Sequence, residues 1–380
     1  MLLTNELDQL VKLRQRLHKQ PELSGHESDT AATIEEFIKA YNPNEIITQL
    51  GGHGLAAIWK GTLPGKTTMI RAELDALPIQ ETNAFPHKSQ KPNISHKCGH
   101  DGHMAIVCGI AMLLKKEPVQ KGQVILLFQP AEETGKGACA VLEDKKFLSI
   151  RPDYAFALHN LPQYNMGTIL CKKGSFCAAS TGLKILLKGK TAHASLPETG
   201  ENPALATTQL IQCLDRILET NDFINKALIT LTHTQIGEKS FGVSAGEAEV
   251  WLTLRAFEKH DFDLLIMLVE KEVNAVVSRH QLSIEMSQHE PFEVTHNHSK
   301  GVVLIKAAAE HLHLTYEEMP EPNPWSEDFG LYLQHSEGAM FGLGSGLATP
   351  DLHNPDYDFP DELIETGIRM FWQLIHSSAK

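Results

Sequence analysis

Apolar residues recur at helical spacing between positions 5 and 19, where Leu7, Leu10, Val11, Leu13 and Leu17 predict an amphipathic helix. Residues 28–40 predict a second. Residues 55–59 and 67–74 predict strands, the latter ending before Pro78. A long apolar run at 104–114 predicts a buried helix, 123–128 a fully apolar strand, 136–142 a helix and 154–158 another apolar strand. Strands without a polar face are covered on both sides. Their alternation with helices predicts an α/β fold: a doubly wound, mainly parallel sheet.

The pattern changes near residue 180. A strand at 183–188 is followed by Asn202 as a helix cap and Pro203 as the first helical residue, with Leu205, Leu210, Leu214, Ile217 and Leu218 continuing the helix. Strands at 228–236 and 249–256, a helix at 261–280 and a strand at 282–287 complete the order β-α-β-β-α-β, which predicts a ferredoxin-like domain. Residues 180–290 are therefore expected as an insertion into a first domain of 1–179 and 291–380. That domain resumes with a helix at 299–312, a strand at 339–343 and a helix from Asp361. The His296–Asn297–His298 run falls at the crossover without an acidic neighbour and reads as a linker.

The 380 residues carry a net charge of −13, which disfavours nucleic acid as a partner because such binding needs a concentrated basic face. No stretch approaches the ~20 apolar residues of a membrane helix. The N-terminal segment is charged early and lacks a signal-peptide pattern, so a cytoplasmic location is expected. The six cysteines show no disulfide spacing.

Unusual residues concentrate in ELDALP (73–78), CGHDGH (98–103), PAEE (130–133) and LHN (158–160). Three of these follow predicted strands, and ligands in open parallel sheets bind beyond the strands' carboxyl ends. Cys98 and His100 offer a thiolate and an imidazole suited to zinc or a similar ion. Alone, they read more simply as a buried thiol beside a helix-capping Asp101, and the nearby acids reverse that reading. His103 reads as a supporting or packing residue. Glu132 and Glu133, adjacent after an apolar strand, suit a division of labour in which one carboxylate holds metal and the other a proton. His159 ends a strand. By themselves, His193 reads as a loop histidine and His353 as a surface one.

Together these stretches resemble the M20 metallopeptidase family. Within it they are similar to the amidohydrolase branch of hippurate hydrolases, aminoacylases and auxin-conjugate hydrolases. The likeness runs in order through LHKQPELS, IRAELDALPIQE, HKCGHDGHM, LLFQPAEETGKGA, ALHN, GKTAHASLP, SEDFGLYL, GLGSG and LHNPDYDFPDE. It implies two divalent metal ions per subunit held by Cys98, His100, Glu133, His159 and His353. Donor chemistry favours zinc over manganese, cobalt or nickel. The likeness further implies Glu132 as general base and acid, Asp75 as the residue orienting the site, and His193 as an oxyanion stabiliser reaching in from a partner subunit. The inserted domain would then be a lid and the interface of a homodimer. Arg255 is kept where the family binds substrate, whereas Gly242 stands where Asn is usual. Glu73 replaces the usual Asp, and Lys97 and Met104 flank CGHDGH where smaller or polar residues are common. The expected activity is hydrolysis of a small N-acyl amino acid or related compound. A metallo-dipeptidase or carboxypeptidase, and a catalytically dead binding protein, are the competing readings.

Overall fold

A computed structural model describes residues 2–378. They form two compact units. The larger runs to Phe176 and resumes at Thr295–Pro322 and from Glu327; the smaller comprises Cys177–Val294 and Asn323–Ser326.

The larger unit begins with α1 (Thr4–Lys19), α2 (Ser28–Lys39), β1 (Glu45–Leu50), β2 (Gly54–Lys60), β3 (Leu63–Glu73) and α3 (His100–Lys116). It continues with β4 (Lys121–Gln129), α4 (Gly137–Glu143), α5 (Lys145–Leu148), β5 (Tyr154–Leu161), β6 (Ile169–Cys171) and β7 (Gly174–Cys177). The smaller unit holds β8 (Ala179–Lys188), β9 (Ala192–His193), α6 (Ala204–Thr220), β10 (Ala227–Ile236), β11 (Val243–Ser244), β12 (Glu247–Ala256), α7 (Lys259–His280) and β13 (Ser283–Phe292). The chain closes with β14 (Thr295–Asn297), α8 (Ser299–His311), β15 (Tyr316–Glu318), α9 (Gly330–Leu333), β16 (Glu337–Gly344) and α10 (Leu363–Ser378).

The large sheet has the order β1-β2-β4-β3-β5-β16-β6-β15. Its centre, β4-β3-β5-β16, is parallel, while β1, β2 and the β16–β6 junction pair antiparallel. The apolar strands predicted from sequence form this centre. Helix α3 is buried at every residue from His100 to Leu114, as its lack of a polar face requires, and α1, α2 and α10 pack on it. Helix α1 contributes Leu10, Leu13 and Leu17 to this core.

In the smaller unit the order β10-β12-β8-β13, antiparallel throughout and packed with α6 and α7, is the ferredoxin-like arrangement. Alternation in β12 buries Ala248, Val250, Leu252, Leu254 and Ala256 on the helix-covered face. A two-stranded ribbon joins β9 to β11.

The structure differs from the sequence reading in several places. Pro203 precedes α6 instead of opening it, and Asn202 Oδ1 accepts the Ala204 N–H at 2.9 Å. The C-terminal helix starts at Leu363, not Asp361. The units divide at 176/177 and 294/295, where the sequence suggested 179/180 and 290/291. Residues 323–326 go with the smaller unit because Ala178 N–H donates to Asn323 O (3.2 Å) and Trp325 O (3.1 Å). The expected linker at 296–298 is ordered instead. Buried Asn297 donates to Lys172 O and Met340 O, and accepts from Met340 N–H. Strands β1, β6 and β15 have no counterpart in the sequence reading.

Candidate metal centre

The carboxyl ends of the parallel strands gather one set of side chains. Asp75 lies two residues past β3, Glu132 and Glu133 just past β4, and His159 near the end of β5. His100 opens α3, and His353 sits in the loop between β16 and α10. Two glycines make the Cys98–His103 turn possible. Gly99 has φ of 93°, and a side chain there would run into Asn160 Oδ1; one at Gly102 would run into the Phe359 ring.

Cys98, His100 and His159 bring donor atoms within 4.8 Å of one another, as do Cys98, Glu133 and His353, and His100, Glu132 and Glu133. His100 Nε2 lies 3.9 Å from Glu132 and 3.8 Å from Glu133, and His353 Nε2 lies 3.8 Å from Glu133. The hydrogen bonds around two histidines set their tautomers. His100 Nδ1–H donates to the Asp75 carbonyl (2.8 Å), and His159 Nδ1–H to the Asn160 carbonyl (2.9 Å). Each Nε2 therefore faces the cluster, that of His159 standing 3.4 Å from Cys98 Sγ. His100 Nε2 and Glu133 Oε1 are buried without a hydrogen-bond partner. Orphaned donor atoms of this kind, beside a thiol and further imidazoles, fit a zinc-type cation.

Charge in the cluster is strongly perturbed by burial and by its own neighbours. Burial disfavours the His100 cation, but Glu73, Asp75 and Glu133 outweigh it and push the ring up to about 10. Burial, then Glu133 and Glu132, raises the Cys98 thiol well above its ordinary value. Burial raises Glu133 to about 7, and burial with Glu327, Glu133 and Asp328 raises Glu132 well above the carboxylate range. Asp75 shapes the turn: its Oδ2 accepts from Glu133 N–H (3.0 Å) and Ser24 Oγ–H (2.6 Å). Glu27 accepts the Ala131 N–H at 2.8 Å from the other side.

Beneath the cluster lies a charge network that the sequence reading missed. Arg71, fully buried, donates to Glu73, to Glu327 (2.9 Å), to Asp328 (2.7 Å) and to Gln129 (3.0 Å). Glu73 also meets His103 (2.7 Å), and Glu132, Glu327 and Asp328 bring oxygens within 4.8 Å of one another. An arginine between the apolar Ile70 and Ala72, in the half of β3 that leads to the site, was the available signal. Lys97, unusual beside the motif, is buried and donates to Glu81 (2.6 Å) and Tyr357 O (2.7 Å).

The other sequence-predicted residues lie in the smaller unit. His193 is exposed on β9, where its Nδ1 meets Ser195 N (3.1 Å) and Ser195 Oγ (2.8 Å). Arg255 Nη1 donates to Pro324 O (2.7 Å) and Ser326 Oγ (2.8 Å). Gly242 has open space where a Cβ would stand, follows a fully exposed Phe241, and accepts the Ala194 N–H at 3.0 Å.

A parallel sheet carrying this donor cluster, joined to a ferredoxin-like unit, defines a class of metal-dependent hydrolases. The chain belongs to peptidase family M20/M25/M40, whose pattern matches residues 69–377. It is 33% identical to the N-acetyl-L-cysteine deacetylase of Bacillus subtilis, over 98% of this chain and 88% of that protein. It is 30% identical to the hippurate hydrolase of Campylobacter jejuni, over 96% and 94%. Among solved structures, a dinuclear metal-binding peptidase of the M20 family from Bacillus subtilis matches with a TM-score of 0.85 at 28% identity, covering 99% of each chain. The chain is a metal-dependent hydrolase of amide bonds. No helix among the described residues is long and apolar enough to cross a membrane.

Proposed function

We propose that the protein hydrolyses the amide bond of N-acyl amino acids or related small N-acyl compounds, releasing a carboxylic acid and a free amine. The observation that carries this reading is the pair of orphaned donors, His100 Nε2 and Glu133 Oε1, beside Glu132. Cys98, His100, Glu133, His159 and His353 would hold two divalent ions per subunit, zinc by donor chemistry, with manganese, cobalt or nickel as alternatives. When bound, the ions act as Lewis acids and lower the pKa of a coordinated water to about 7.

The chain's own groups do the rest. Glu132 takes the proton of the attacking water as its oxygen bonds to the carbonyl carbon. It then delivers that proton to the nitrogen as the C–N bond breaks. Asp75 holds the Glu133 backbone and the His100 ring, and so orients both of these residues toward the metal site. His193, from the partner in a cytoplasmic homodimer built through the smaller unit, steadies the negative charge on the carbonyl oxygen. Arg255 anchors an anionic group of the substrate, and the space at Gly242 admits a bulkier neighbour than Asn would.

Amine release from N-acetyl, N-benzoyl and N-succinyl compounds by the zinc-loaded protein tests the reading. Turnover of an N-acyl amino acid supports it. Turnover of unblocked dipeptides alone would favour a peptidase, and binding without turnover a dead site. Gly242→Asn should raise activity on N-acetyl amino acids relative to the best native substrate; an unchanged ratio removes Gly242 from the specificity argument. Mixing Glu132→Gln with His193→Ala under subunit exchange should restore about a quarter of wild-type activity, because about half of a random mixture is mixed dimer and each mixed dimer regains one intact site of two. No recovery after proven exchange removes His193 from the partner's site.

A further inference from the structure

His193 is exposed, and water could satisfy both of its ring nitrogens. Instead two groups of one neighbour converge on Nδ1: Ser195 N at 3.1 Å and Ser195 Oγ at 2.8 Å. The surrounding turn is fixed by the backbone. Val243 pairs with His193 across β9 and β11, Leu196 N–H donates to His193 O (2.8 Å), and Ala194 N–H donates to Gly242 O (3.0 Å).

A backbone N–H can only donate, so the nitrogen facing it must offer a lone pair. A neutral imidazole whose Nδ1 accepts carries its proton on Nε2. The hydroxyl of Ser195, free to rotate, can donate towards the same nitrogen and hold the ring plane.

We propose that Ser195 is a positioning residue for hydrolysis, presenting His193 as an Nε2–H donor to the oxyanion. The proposal rests on the reading of His193 as the group that steadies that oxyanion. With the opposite tautomer the ring would offer a lone pair to a developing negative charge, and attraction would become repulsion. The backbone N–H of Ser195 selects the tautomer, and its hydroxyl limits the swing of an exposed ring. Preorganisation of this kind acts on the transition state, so it affects kcat more than KM.

Three measurements on the full-length, zinc-loaded protein test it. First, long-range nitrogen NMR of histidine-labelled protein, with His193→Ala for assignment, should show an unprotonated Nδ1 and a protonated Nε2 in the neutral ring. Second, Ser195→Ala should lower kcat about 2–10-fold, the worth of one hydrogen bond, with KM unchanged. Ser195→Thr, which keeps the hydroxyl, should recover the rate. Third, His193→Gln, whose amide N–H stands near the place of Nε2, should retain more activity than His193→Asn, whose amide matches Nδ1.

A protonated Nδ1, a full rate in Ser195→Ala, a Thr variant as slow as the Ala variant, or a Gln variant no better than Asn would each overturn the proposal while His193→Ala is slow. A full rate in His193→Ala would instead overturn the reading of His193 itself, and the proposal with it.

Discussion

Filling the metal site should expel protons, and the number expelled follows from the charges around Cys98 and His100. A zinc ligand must be a thiolate or a neutral imidazole. Without metal, burial of His100 is outweighed by the surrounding acids, which push its ring up to about 10, and burial holds the Cys98 thiol well above its ordinary range. At pH 8 both groups carry protons, while Glu133, raised to about 7, is mostly ionised. Filling the site at pH 8 should therefore release at least two protons, to which the raised Glu132 and a coordinated water can only add. An unperturbed pair, with an imidazole near 6.5 and a thiol near 8.5, would release about one. The overall binding constant should rise at least about a hundredfold per pH unit near pH 8, and more steeply below pH 7 as Glu133 also gives up a proton. Calorimetry in two buffers of different ionisation enthalpy counts the protons, and chelator competition between pH 7 and 9 gives the slope. Cys98→Ser should lower the count by about one, because a serine hydroxyl has no comparable acidity. A release of one proton or fewer at pH 8 by the wild type would refute the assignment of His100 and Cys98 as ligands sharing this field.

Glu132→Gln should cut turnover by about 10²–10⁴-fold while leaving metal binding in place; a near-normal rate would remove Glu132 as the base. Because Glu132's folded pKa is raised, its ionisation above the ordinary carboxylate pKa opposes folding, so the same variant should melt higher than wild type when metal-free at neutral pH. Cys98 should be the one cysteine of six whose alkylation is blocked by zinc and restored by a chelator, and equal labelling in both states would exclude it as a ligand. Arg71→Met should destabilise the fold by about 3–5 kcal/mol, since it leaves Glu73, Glu327 and Asp328 buried without their cation. Denaturant unfolding checks this, and a loss under about 1 kcal/mol would mean the three acids protonate in place.

The site was legible where chemistry breaks a local rule. Two acids directly after the apolar run of β4 and a histidine near the end of β5 are out of place by pattern alone, and both fall at the sheet's carboxyl edge. The Arg71 network was not legible, because its partners Glu327 and Asp328 lie more than 250 residues away and only the fold brings them together. The short outer strands escaped for a different reason. β1 is half exposed and β15 has three residues, too few for a period to register. The transfer of residues 323–326 to the smaller unit depends on backbone hydrogen bonds from Ala178, which leave no trace in side-chain character. The order β-α-β-β-α-β, in contrast, was readable because the four main strands and two helices of the smaller unit are each ten residues or longer.

Gly99 and Gly102 bear on how such a chain could change over time. Neither touches the reaction. Gly99 is needed for its left-handed backbone beside Asn160, and Gly102 for its room beside Phe359, whether or not an ion is held. A descendant that abandoned hydrolysis would be free to exchange Cys98 and His100 but would keep both glycines for as long as it kept the fold. The spacing of those two glycines is thus a record of ancestry, and Cys98 and His100 beside them are a record of use.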